Sequence, residues 1–309
     1  MKKNQSLVSK IRKYIETNKT FTLQELYAKF GDNYQKHSIR ARVYDVEKED
    51  ASVIRTGRGS FALVGAEIEA TIECVDSKKE IFKIAESKIK YDLVFLDIPY
   101  STGGQKGGNR NLASYDLISP DEFKEIIKEV EKVLRNEDSQ VYFMIAGGKS
   151  SIKQSNKYIN MFNETSLKQC DSGGYTKLTK SGAVCNMGKY KMPPELILSF
   201  SKSGKIVNLA DEYSMDFRIQ RPPLPRSGGY PTEKPLTLMH HILKQSTRIG
   251  DRVLELFAGS GVMVEASIEL GRKINAYDFS MKAITNHILP RLMKFSNENN
   301  YLKFQPSLM

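Results

Sequence analysis

The stretch DRVLELFAGSGVMVEASIELGRKINAYD, residues 251–278, decides the fold. Residues 252–256 read as a buried strand that runs into Phe257, Ala258, Gly259, Ser260 and Gly261; a helical pattern follows, then a second strand over 274–277 that stops at Asp278. Strand, glycine turn, helix and strand make one β-α-β unit. Such units build open α/β sheets, whose ligands sit just beyond the carboxyl ends of the strands. Glycines at the turn let backbone approach a ligand closely, and an acid at the end of the next strand can accept both hydroxyls of a ribose. A dinucleotide site would carry a third glycine at position 264, which is Val here. A single nucleoside is therefore expected.

Working outward, YDLVFLDIPYST at residues 91–102 predicts a buried strand over 91–96, with Asp97 at its carboxyl end, then Ile98, a φ-locked Pro99 and Tyr100. Taken alone, any strand leaving a sheet through an Asp-x-Pro turn looks similar. Together the two stretches predict that the strands ending at Asp97 and Phe257 are neighbours at the sheet's switch point. Residues 71–75 predict a strand ending near Asp76, and 79–86 a helix with Ile81, Phe82 and Ile84 inward. The loop STGGQKGGNRN, 101–111, has no apolar anchor, and reads either as a surface connection or as a lid over substrate. A helix over 120–134, opened by Ser119, Pro120 and Asp121, and strands over 140–146 and 195–200 complete the pattern. Residues 150–192 carry no readable period. GYPTEKPLTLMHHILKQS, 229–246, is a turn followed by a helix that starts near Pro235.

The chain has 309 residues and a formal net charge of +11, which favours a polyanionic partner such as nucleic acid. No run approaches the roughly 20 apolar residues of a membrane span, and MKKNQSLVSK lacks the apolar core of a secretory signal, so a cytoplasmic protein is expected. Cys74, Cys170 and Cys185 lack metal-ligand spacing, and His240 and His241 have no partner at ligand spacing. No metal is expected.

Residues 1–68 form a separate pattern. Three helical stretches, over 5–17, 22–30 and 38–48, precede a hairpin over 52–65 with Gly57, Arg58 and Gly59 at its tip. Thirteen Lys/Arg stand against eight Asp/Glu in this segment. The arrangement resembles a winged helix, with Arg40 and Arg42 on the third helix and Arg55 and Arg58 on the wing. A helical packing or dimerisation module with a solvated basic face is the alternative.

DIPY, PTEKP and LELFAGSG, in this order, resemble the amino-group DNA methyltransferases that use S-adenosylmethionine, in the permuted β-class arrangement with the catalytic motif before the cofactor motif. The likeness covers roughly residues 71–292 and leaves the N-terminal segment outside. It implies a doubly wound, Rossmann-like methyltransferase sheet over 69–309, with a target-recognition segment within 150–230, behind an N-terminal winged helix over 1–68. Asp97, Ile98, Pro99 and Tyr100 fall on the family's catalytic D-P-P-Y tetrad, with Ile98 in place of a proline. Phe257, Ala258, Gly259, Ser260 and Gly261 fall on the cofactor loop, Asp278 on the ribose acid, and Asp76 on the acid that approaches the cofactor's adenine. Asp97 also borders the cofactor. Thr232 and Lys234 match the segment whose lysine helps hold the methionine carboxylate, and Tyr230 stands where many members have histidine.

The resemblance further implies a mechanism. Asp97 and the carbonyl of Ile98 would accept the two hydrogens of an exocyclic amine, binding the nitrogen more strongly as charge builds on it, while Tyr100 stacks on a base rotated out of double-stranded DNA. Family members acting on adenine N6 usually carry Asp or Asn at the first tetrad position, and those acting on cytosine N4 usually carry Ser. Asp97 therefore implies adenine, with Lys106 and Arg110 of the glycine-rich loop as further DNA contacts. N4-cytosine transfer, or a DNA-binding regulator that keeps the fold with weak catalysis, are the alternatives, and a homodimer is one of the assemblies the reading allows.

Overall fold

The computed structural model describes residues 6–18, 20–49, 53–57, 59–63, 69–99, 117–148, 151–187, 190–210, 213–222, 230, 232–295 and 301–306. The N-terminal part runs α1 (Leu7–Asn18), β1 (Thr20–Thr22), α2 (Leu23–Phe30), α3 (Lys36–Glu49), β2 (Val53–Gly57) and β3 (Ser60–Leu63). The helices expected there are present. Thr22 starts α2 through a reciprocal capping box with Glu25. The expected hairpin of β2 and β3 gains a strand that the sequence did not announce, since β1 pairs antiparallel with β3. Ile11, Leu26, Ile39, Val43, Val53 and Phe61 share an apolar cluster built from this segment alone.

The remainder is a nine-stranded sheet, in the order β11-β7-β10-β6-β5-β12-β13-β4-β14. Its elements in chain order are β4 (Glu69–Cys74), α4 (Ser77–Glu86), β5 (Leu93–Leu96), α5 (Pro120–Val133), β6 (Gln140–Ala146), α6 (Ile152–Ile159), β7 (Lys168–Leu178), the short pair β8 (Asn186–Met187) and β9 (Tyr190–Lys191), β10 (Glu195–Ser201), β11 (Asp216–Gln220), α7 (Leu236–Ser246), β12 (Arg252–Glu255), α8 (Val262–Glu269), β13 (Lys273–Asp278), α9 (Met281–Ala283), a π-helical turn (Ile284–Ile288), α10 (Leu289–Leu292) and β14 (Tyr301–Pro306). All neighbouring pairs are parallel except those made by β10, which is antiparallel to both β6 and β7. One strand thus runs against the rest.

Alternation along the strands divides the core into two layers, because successive side chains leave a strand on opposite faces. Leu93 and Phe95 join α7 and α8 on one face, while Val94 and Leu96 join α4 and α5 on the other. Tyr142 and Met144 alternate with Val141, Phe143 and Ile145 in the same way. Helices on both faces of a parallel sheet are the doubly wound arrangement.

Two readings of single elements change. Phe82, predicted inward, is 41% exposed, because the buried stripe of α4 is Ser77, Ile81 and Ile84, and position 82 lies one hundred-degree step off it. Residues 150–192, which carry no readable period, contain the eleven-residue β7, whose two glycines at 173 and 174 and whose polar side chains conceal it. A Cβ at Gly173 would lie 1.9 Å from the Met215 carbonyl oxygen, so that position must be glycine for the backbone next to β11 to approach.

Candidate active site

β5 and β12 pair side by side, Leu254 opposite Val94 and Glu255 opposite Phe95, so Asp97 and Phe257 leave the sheet together at its carboxyl edge. From β12 the chain continues to β13 on one side, and from β5 to β6 on the other. That reversal opens a crevice between the two strand ends. The expected neighbourhood of Asp97 and Phe257 is present.

On the β12 side, Gly259 and Gly261 adopt φ of 51° and 75°, the left-handed region where a side chain is strained. The turn they make brings the Gly259 N–H 2.8 Å from Oδ2 of Asp278, whose Oδ1 accepts the Ser280 N–H at 2.8 Å. Burial pushes the Asp278 carboxyl up, and these two N–H groups partly offset it. The ring of Tyr230 covers the turn: a Cβ at Gly259 would stand 3.4 Å from its Cε1. At the neighbouring edge Asp76 caps α4, accepting the Lys78 N–H at 3.0 Å, and the Ser77 hydroxyl donates to the Leu256 carbonyl. Phe279, next to Asp278, is 47% exposed and presents an aromatic ring beside the acid.

On the β5 side, Lys234 reaches Asp97. Its Nζ lies 2.5 Å from Oδ2 of Asp97 and 3.4 Å from Oε2 of Glu195, and it also donates to the Thr232 carbonyl at 3.3 Å. Lys177 pairs with Oε1 of Glu195. Burial drives the Asp97 pKa up, Lys234 opposes that rise, and Glu195 adds to it. Burial also works against the charged form of Glu195, but Lys234 and Lys177 outweigh it and hold that carboxyl below its usual range. The side chain of Ile98 is 2% exposed and packs in the apolar layer with Leu96 and Ile118.

The only mark of Glu255 in the sequence is that it is the one charged residue in the run from Val253 to Ala258. It is 3% exposed, its Oε2 has no hydrogen-bond partner, and burial together with the charges of Asp97 and Asp278 pushes its pKa well above the carboxylate range. The crevice therefore gathers Asp97, Glu255 and Asp278, with Lys234 paired to Asp97. An excess of buried acid with raised pKa values is relieved by a cationic ligand. Glu195 and Lys177 carry no local signal either, since each lies on a strand whose partner only the fold supplies.

Of the other expected residues, Arg40 and Arg55 converge on one aromatic ring. Their guanidinium centres lie 5.4 and 4.8 Å from the Tyr44 ring, and Arg40 Nε donates to the Tyr44 hydroxyl at 3.1 Å. Arg42 pairs with Asp45 at 2.5 Å. Tyr100, Lys106, Arg110 and Arg58 lie outside the described residues. Among the described residues, no group of three or more His, Cys, Asp or Glu is placed to hold a metal, and no helix is long and apolar enough to cross a membrane.

Comparison with known proteins places this geometry in context. Residues 91–288 match the family profile N6_N4_Mtase, described as DNA methylase. No curated protein matched. Among solved structures, the M1.HpyAVI–SAM complex is similar over 72% of this chain and 98% of its own, at 18% identity and a TM-score of 0.54. The PvuII DNA methyltransferase, described as cytosine-N4-specific, is similar over 75% and 88% of the two chains, at 18% identity and a TM-score of 0.56. At such identities the likeness is one of fold.

Proposed function

The chain belongs to the N6/N4 DNA methylase family, and from that premise we propose that it transfers a methyl group from S-adenosylmethionine to the N6 of an adenine rotated out of double-stranded DNA. The observation that carries the reading is the pairing of the strands that end at Asp97 and Phe257, which puts an amine-accepting carboxylate and a glycine turn at one crevice. S-adenosylmethionine bound there would supply a methyl group already activated by its sulfonium. The residues present fit it. Its nucleoside matches the turn at Gly259 and Gly261, with Asp278 for the ribose, Phe279 and the neighbouring Asp76 for the adenine, and the unpartnered Glu255 oxygen for the ammonium. The cofactor's positive charges suit the excess of acid around them.

The task left to the chain is to aim the amine nitrogen. Oxygens of Asp97 and the Ile98 carbonyl accept its two hydrogens, and that pair of acceptors binds the nitrogen more strongly as it becomes pyramidal and positive. Tyr100 offsets part of the few kcal/mol lost when the base leaves its stack. Asp97 at the first tetrad position favours adenine over cytosine.

Residues 1–68 form a winged-helix domain that contacts DNA in this reading, and 69–309 form the catalytic domain. The order helix, strand, helix, helix, hairpin supports it, and so does the shared ring of Tyr44, which ties a basic residue of α3 to one of the hairpin. The exposed Arg42–Asp45 pair is worth little by itself and can exchange for a phosphate. The chain acts in the cytoplasm in this reading.

Incubation with methyl-labelled cofactor and mixed-sequence duplex, followed by nucleoside mass spectrometry, is expected to show N6-methyladenine that depends on Asp97. N4-methylcytosine instead would reassign the base, and no transfer to any DNA would favour a DNA-binding regulator.

A further inference from the structure

Four side chains of alternating charge form a row that leads away from the crevice on its β5 side: Lys177 on β7, Glu195 at the start of β10, Lys234 before α7, and Asp97 after β5. The row exists because β10 runs against the sheet. An antiparallel strand brings its first residue to the edge where its parallel neighbours end, so Glu195 stands opposite Ala146, the last residue of β6, and close to the end of β5. On its other side Glu195 pairs with Tyr175 of β7, and Lys177, two residues further along that strand, shares its face. Glu195 thus has one cation on each of its oxygens. Lys234 has a carboxylate on either side.

We propose that the Lys177–Glu195 pair is a positioning element of the active site that sets how Lys234 is shared between two carboxylates, and thereby how much acceptor strength Asp97 keeps for the target amine. The inference rests on the reading of Asp97 as the acceptor of an amine hydrogen. An ammonium seated wholly on Asp97 would compete with the base for the same oxygens. An ammonium withdrawn from it would leave a buried carboxylate that takes up a proton and becomes a donor. Sharing with Glu195 avoids both extremes, and Lys177 fixes the share by neutralising the far side of Glu195. Neither Glu195 nor Lys177 needs to touch substrate.

The groups facing Asp97 define the sign of each effect. From β12 comes Glu255, which also feels the charge of Asp278; from the segment before α7, Lys234; from β10, Glu195, with Tyr175 of β7 paired opposite it; and from β7, Lys177. Removing the charge of Glu195 takes away a repelling anion and releases Lys234 toward Asp97, so Asp97 ionises at lower pH. Removing the charge of Lys177 makes Glu195 a stronger competitor for Lys234 and takes away a distant cation, so Asp97 ionises at higher pH. Shifts of opposite sign from two residues in contact with each other are not what loss of packing gives.

The test is a carboxyl NMR titration of the full chain labelled with 13C at the aspartate side-chain carbon, with the Asp97 signal assigned by its loss in Asp97→Asn. Glu195→Gln is expected to move the Asp97 midpoint down and Lys177→Met to move it up, each by roughly half a pH unit or more, while Lys177→Arg restores the original midpoint. Unmoved midpoints, or shifts in the same direction, would overturn the proposal. Should Lys177→Met fail to fold, Lys177→Gln carries the test of the upward shift in its place. In the transfer assay the acid limb of kcat should follow the same two directions. Absence of transfer by the unmodified chain would sink the functional reading and leave the titration to judge the row.

Discussion

Lys234 and Asp97, separated by 137 residues of sequence, meet at 2.5 Å at the carboxyl edge of the sheet. The contact joins the segment before α7 to the end of β5, so the side expected to hold the cofactor and the side expected to hold the base share one ion pair. Asp97→Ala removes the acceptor altogether and leaves Lys234 to Glu195. Methyl transfer is expected to fall at least about 100-fold, with cofactor affinity, read by calorimetry, changed far less. A large loss of cofactor binding with little loss of kcat would contradict the assigned role.

Glu255 predicts a pH dependence of its own. Its folded pKa lies above the ordinary carboxylate value, from burial first and from Asp97 and Asp278 second. A cation binds best to its ionised form, so cofactor affinity should rise with pH through that raised pKa, and Glu255→Gln should flatten the rise. Stability has the opposite slope. The folded chain holds this proton more tightly than the unfolded one, so stability declines as pH climbs from the unfolded pKa to the folded one. Glu255→Gln should remove that decline and stabilise the apoprotein at alkaline pH by on the order of 1 kcal/mol. Chemical denaturation at two pH values measures it.

Gly261 tests the cofactor turn. With φ at 75° and a would-be Cβ only 2.9 Å from Cγ1 of Ile288, Gly261→Ala meets both backbone strain and a clash with the π-helical turn. A loss of about 2 kcal/mol is expected, together with weakened cofactor binding. Gly250→Ala, at a similar φ of 78° but with open space around it, should cost less.

Arg291 ties two parts of the crevice together from behind. Its guanidinium lies 2.6 Å from Glu233, the neighbour of Lys234, and 2.6 Å from Glu265 on α8, the helix that follows the glycine turn. Arg291→Leu leaves two partly buried carboxylates without that partner and should cost on the order of 2 kcal/mol. A thermal melt of the variant beside the unmodified chain checks this.

Ile98 separates packing from chemistry. Its side chain is in the apolar layer, so Ile98→Val should cost about 1 kcal/mol and Ile98→Ala about 3 kcal/mol, while kcat of the folded fraction changes little in Ile98→Val. The acceptor at this position is a backbone carbonyl, which all three residues share.

The residues that could be read in the sequence are those whose meaning is local. Gly259 and Gly261 mark a turn because few other residues tolerate it, Asp97 and Asp278 stop apolar runs, and Thr22 and Ser119 cap helices through side chains three residues away. The strands over 140–146 and 195–200 are legible for the same reason, as runs of apolar side chains buried on both faces. β7 was not, because its glycines and polar residues are chosen by the strands and loops beside it.

By itself the sequence determined that the chain builds a β-α-β unit with a nucleoside-sized glycine turn and carries an acid at a second strand end, since both follow from backbone preference and periodicity within a few residues. Only the tertiary structure decided what surrounds that acid. The reversed direction of β10 puts Glu195 at the same edge as Asp97, the pairing of β12 with β5 buries Glu255 beside it, and the segment before α7 delivers Lys234 between them. Charge acts through space, and the ionisation of a buried carboxylate is set by neighbours that strand order chooses and sequence distance does not reveal.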